Sequence, residues 1–279
     1  MPLISKPEFI SLVNHLKTTI QEEDVPSHYI GMGNPDSGLL FVGSEKAIDI
    51  NRDQIIAHHE LFLNLEHWYD IITHHNHLTN AYDQTLLERR GQLTHFNPYN
   101  PLFLESTRNR VLPLGGHTYK KMKRLINDCF PPSHFDLNPI TSSFTENVFS
   151  KCFITELSSI PALNQNHALF HLGTFIDGPR YDFLRYDDFN FFKSFKTVLL
   201  YFGRNKNYIG TLGSNERLAI LKIFDPKIEH HNINHVIIHG HDFIYYQRKN
   251  GVRIILSYHM VNYKYFTTSY RNALATLIL

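Results

Sequence analysis

The chain has 279 residues and a formal net charge of +1 with histidine neutral, so no global field draws it toward nucleic acid, and any such contact must come from local basic patches. Hydrophobic residues make up 42% and charged residues 19%, ample for a buried core and below the usual charged share of ~25%. Its two cysteines, Cys129 and Cys152, are too few for a disulfide framework, a four-cysteine zinc site or an iron–sulfur cluster, and they fit a reducing compartment.

Residues 1–9 lack the apolar run of a signal peptide, and no stretch approaches ~18 unbroken apolar residues. A cytoplasmic protein without a membrane span is expected. No repeat, low-complexity linker or compositional break divides the sequence, so residues 1–279 are expected to form a single domain. The 15 tyrosines and 21 phenylalanines can fill a core, and rings of this kind also stack on nucleobases.

In chain order, Phe9, Leu12, Val13, Leu16 and Ile20 share one face of a helix expected over residues 6–21. Asn34–Gly38 reads as a turn. Leu39–Val42 is a short apolar run ending in Gly43, which suits a strand buried on both faces. A helix follows near residues 54–72, and residues 74–103 read largely as loop. Thr118 can cap a helix running to Phe130, with Tyr119, Met122, Leu125, Ile126 and Cys129 on one face. Lys120, Lys121 and Arg124 lie on the other side, with Lys123 at its margin.

Cys152–Thr155 and Thr197–Phe202 read as further buried strands, and Ser214 as the cap of a helix to about Phe224. Val236–Ile238 and Phe243–Tyr246 form a hairpin pattern around His239–Asp242. Val252–Ser257 is the last strong strand, followed by a helix from about Ser269. Strands alternating with helices imply an α/β fold. The expectation is three layers, with a central, mostly parallel four-stranded sheet flanked by helices, plus a small hairpin.

In open α/β sheets ligands bind beyond the carboxyl ends of the strands. That rule selects residues 43–46, 155–158, 203–206 and 258–262. Gly43 lets a backbone approach a ligand closely. Glu45 can orient or deprotonate a water, or be a solvated turn carboxylate. Glu156 can accept hydrogen bonds from a ligand or meet a helix dipole. Arg204 and Lys206, beside Gly203, suit a phosphate or a solvated surface. His259 can donate to a developing anion or play a structural part. Tyr263 and Tyr265 around Lys264 can grip a nucleic-acid backbone or form an amphipathic turn.

The order of these pieces resembles the uracil-DNA glycosylase superfamily. Residues Leu40–Glu45 are similar to its glycine-led first motif, Phe153–Glu156 to its base-reading strand end, and Ile255–His259 to the approach to its histidine-led last motif. Phe96, Tyr99 and Phe103 fall where the family places a ring that stacks on the flipped base. The likeness runs over roughly residues 38–262 as short pieces. Glu156 stands where the family usually has Asn, and Met260 and Val261 stand where it has Pro and Ser.

The resemblance implies a DNA glycosylase with Glu45 and His259 as catalytic residues. Gly43, Ser44, Tyr99, Phe103 and Glu156 would bind the substrate. Lys120, Lys121, Arg124, Arg204, Lys206 and Lys264 would hold DNA. A monomer without metal or cofactor is expected, acting in repair or in defence against phage DNA. A non-catalytic DNA binder of the same fold remains open. So does a metal-dependent hydrolase, because the 19 histidines include the close pair His239 and His241.

Overall fold

A computed structural model describes residues 32–34, 36–43, 105–106, 110–111, 117–137, 144–156, 195–202, 218, 221–222, 224–225, 227–249, 251–260 and 264–279. The helices expected over residues 6–21 and 54–72, and the loop over 74–103, lie outside the described residues.

The strands are β1 (Met32–Gly33), β2 (Leu39–Gly43), β3 (Glu105–Ser106), β4 (Arg110–Val111), β5 (Phe153–Glu156), β6 (Thr197–Phe202), β7 (Ile233–Ile238), β8 (His241–Gln247) and β9 (Arg253–Tyr258). The helices are α1 (His117–Cys129) and α2 (Thr268–Ile278). The fold is α/β around a mixed sheet of seven strands in the order β1-β5-β2-β6-β9-β8-β7. β3 and β4 form a separate two-stranded ribbon.

The expected four-stranded, mostly parallel sheet is therefore corrected. β5, β2, β6 and β9 are neighbours and run parallel, but β1, β8 and β7 extend the sheet with antiparallel pairs. The physical reason lies in the connections. His239 (φ 51°) and Gly240 (φ 77°) turn the chain directly from β7 into β8. From β8 to β9 the chain turns between Arg248 and Val252, whose backbone groups bond at 2.8 Å. Links this short can return only antiparallel, whereas parallel neighbours need a crossover of a dozen or more residues. The hairpin thus joins the sheet instead of standing apart from it.

Leu39–Gly43 is buried at every residue, as a parallel strand covered on both faces must be. On one face α2 crosses the sheet. Arg253 of β9 donates to the carbonyl of Leu277, and Thr197 Oγ1 of β6 to that of Ile278 at 3.4 Å. α1 packs beside α2, tied by the Arg271–Asp128 ion pair. On the other face a turn of helix around Leu221 is held by Tyr246 of β8, whose hydroxyl donates to Asp225 Oδ2 at 2.7 Å.

Met122, Leu125, Ile126 and Cys129 of α1 are buried, while Lys120 and Arg124 are exposed. The helix begins at His117, so Thr118 lies inside the first turn instead of capping it. α2 begins at Thr268, capped by Thr267, whose side chain accepts from the Tyr270 amide at 3.1 Å. The two-residue β1 has no period for a sequence to display. It needs Gly33, which has φ +112° and where a Cβ would lie 2.2 Å from the Cys152 carbonyl oxygen.

The strand order has a consequence for function. From β2 the chain crosses to β5 on one side, then returns to β6 and β9 on the other. The reversal falls between β2 and β6, and in such sheets the region beyond the carboxyl ends at the switch point is the usual ligand position.

Candidate functional site

Three of the residues selected from the sequence stand along that edge, at the carboxyl ends of strands β2, β5 and β9. Gly43 ends β2, buried, and pairs in register with Glu156 at the end of β5. β6 runs on the other side of β2, with Val42 paired to Leu200. Tyr201 follows, pairing with Ser257 of β9. His259 lies two residues beyond Ser257, and its ring centroid is 5.6 Å from that of Tyr201, at 60°. Tyr201 is in turn met by Phe41 of β2, edge-on at 6.3 Å and 70°.

The backbone leading to His259 is anchored. Tyr270, the largest fully buried side chain, reaches from the first turn of α2. Its hydroxyl lies 3.1 Å from Ser257 Oγ and accepts from the Tyr258 amide at 3.4 Å. Just past the histidine, Met260 is completely buried. A half-buried imidazole is thereby held between two buried anchors. It can offer an N–H to an anion that forms at the strand ends.

Lys264 and Tyr265 extend the same edge. Tyr265 stacks on Tyr258 at 4.8 Å and 12°, and Lys264 Nζ lies 5.0 Å from the Tyr265 ring centroid, within the range of a cation–π contact. Burial, with Tyr265 and then Asp242 adding to it, pushes the Tyr258 phenol above its ordinary pKa.

The α1 cations lie on the helix that packs beside α2. Lys121 is half-buried. Burial first, then Arg124 and Arg271, hold its ammonium below its ordinary pKa. Three cations from two helices therefore share one neighbourhood, and Asp128 neutralises Arg271. Glu45, Ser44, Tyr99, Phe103, Arg204 and Lys206 lie outside the described residues.

Tyr201 and Tyr270 are residues at this edge that sequence reasoning did not select. The available signal was slight: a polar-tipped ring inside an apolar strand, and a tyrosine one turn into a capped helix. Their partners become visible only once β6, β9 and α2 are brought together.

The histidines of the hairpin have other surroundings. His241 Nε2 lies 2.9 Å from Ser269 Oγ and its ring meets Tyr270 edge-on at 5.5 Å. His235 Nδ1 lies 3.7 Å from Asp242, both well exposed. Among the described residues no group of three His, Cys, Asp or Glu side chains is placed to hold a metal ion. Both cysteines are buried. Burial and then Asp128 push the Cys129 thiol up to about 12, and burial and then Cys129 push the Cys152 thiol up as well. Such thiols are poor nucleophiles.

Among the described residues no helix is long and apolar enough to cross a membrane. Compared with family models, with curated proteins and with solved structures, the chain matches none.

Proposed function

We propose that this protein hydrolyses the N-glycosidic bond of a base turned out of DNA, as a divergent relative of the uracil-DNA glycosylase superfamily. The observation that supports this most is that Gly43, Glu156 and His259 all stand at the carboxyl-end edge of the four parallel strands β5, β2, β6 and β9. In this reading β5, β2, β6 and β9 are the family's four-stranded core, set between layers of helices in a cytoplasmic monomer.

The chemistry asks little of the fold beyond that edge. The base must leave the stack and enter a pocket. The C1′–N bond breaks with its electron pair going to the base, and water adds to C1′ with loss of a proton. His259 donates to the anionic base. Glu45 orients the water and opposes the sugar's positive charge. Tyr99 or Phe103 stacks on the base beside Ser44 and the Gly43 backbone. Glu156 reads the base edge; as a carboxylate it accepts and does not donate, so it selects an edge rich in N–H groups, such as a modified or amino-bearing base. Lys120, Lys121, Arg124, Arg204, Lys206 and Lys264 hold phosphates.

The test is mass spectrometry of bases released from genomic and phage DNAs that carry normal, deaminated and modified bases. The expected result is one base released, with His259→Ala lowering the rate by ~100-fold or more and Glu156→Gln shifting the preference among bases. Tight DNA binding with no base released from any DNA would replace the enzyme with a binder of the same fold.

A further inference from the structure

We infer that Tyr201 is a positioning residue, whose ring fixes the orientation of the His259 imidazole at the strand ends; the inference rests on the proposed role of that histidine. Tyr201 is 6% exposed, although it is the last residue but one of β6. Register places it opposite Ser257, so its ring and the residue two places beyond Ser257 point to the same side. The contact follows from that geometry, with centroids 5.6 Å apart.

Tyr201 is itself braced. Phe41 meets it edge-on at 6.3 Å from the neighbouring strand, and Phe41 is completely buried. A row of rings thus runs from β2 through β6 to the end of β9; Phe41 and Tyr201 are buried, and His259 at its end is half-exposed. Ser257 and Met260 secure the backbone on either side of His259, but neither constrains how the imidazole turns about its own bonds. A ring packed on its side does. A general acid or anion-stabilising donor must hold its N–H within a narrow geometry to act, and a small misplacement can reduce the rate by ~100-fold.

The experiment combines proton NMR of the His259 ring, identified by its loss in His259→Ala, with base-release kinetics on the full chain. In the unaltered protein the His259 ring protons should show nuclear Overhauser contacts to the Tyr201 ring. Tyr201→Phe, which keeps the ring, should preserve the His259 resonances and keep kcat within about twofold. Tyr201→Leu should move those resonances and lower kcat by roughly 10- to 100-fold with little change in KM. Absence of the Tyr201–His259 contacts in the folded, unaltered protein overturns the inference whatever the chemistry, so it is decided even if Tyr201→Leu does not fold. Equal losses in the Phe and Leu variants also overturn it, by assigning the effect to the hydroxyl. Contacts present, with His259 resonances kept in Tyr201→Phe and moved in Tyr201→Leu, and no base released by the unaltered protein, support the positioning and overturn the glycosylase reading instead.

Discussion

The β7–β8 hairpin carries His235, His239 and His241, and the end of β9 carries His259. In the hairpin, His235 and His239 are exposed, Ile237 is 75% exposed, and a two-residue turn sets the geometry. At the end of β9 a half-buried histidine lies against one buried tyrosine while a second anchors the strand behind it. Abundance of histidine therefore says little here. What separates His235 and His239 from His259 is how many groups of fixed position surround each ring, while His241, beside Ser269 and Tyr270, is held as His259 is; catalysis needs fixed groups.

The sharpest way to break this contrast is to remove a buried anchor on one side and an exposed side chain on the other. Tyr270→Ala deletes a buried ring that touches Phe243, Tyr258 and Phe266, and should destabilise the protein by ~3–5 kcal/mol. Ile237→Ser, on the hairpin, should change stability by about 0.5 kcal/mol or less. Urea denaturation of both variants measures the difference; equal effects would remove the distinction. Asp128→Ala comes next. It leaves Arg271, 8% exposed, without its carboxylate, and should cost about 2 kcal/mol in the same assay.

How far these regions were legible in the sequence differs with distance along the chain. β6 was expected over Thr197–Phe202 and spans those residues, because consecutive buried positions, Thr197–Tyr201, leave a largely apolar run. The inward face of α1 was equally plain from helical spacing. The pairing of the hairpin with β9 was not, since periodicity reports which face is buried and not which strand lies alongside. Gly43, Glu156 and His259 could be selected because each follows an apolar run that ends at a strand terminus. Tyr201 could not, because its value lies in a contact between two strands whose adjacency no local pattern announces.

Smaller effects sharpen the comparison at the hairpin. Burial, then the hydrogen bond to Asp225 and its charge, raise the Tyr246 phenol to about 12, against a lesser opposing effect of Arg248. The folded state therefore holds this proton more tightly than the unfolded chain. The stabilisation is fully present below the ordinary value near 10 and is lost as pH rises toward 12. Asp225→Asn should bring the phenolate transition to lower pH, which absorbance titration would follow; an unmoved transition would remove Asp225 as a cause. Smallest of all, His239→Asn should stabilise the turn by a few tenths of a kcal/mol, since asparagine tolerates the positive φ of 51° better. A measurable loss of thermal stability would contradict that.

The most direct test of the central claim assays His259→Ala beside His235→Ala and His239→Ala on whichever DNA loses a base to the unaltered protein. The account predicts that His259→Ala alone abolishes release, while both hairpin variants stay within about twofold, as surface changes away from a site should. Full activity in folded His259→Ala, or its loss in a hairpin variant, would contradict a site at the carboxyl ends of the parallel strands.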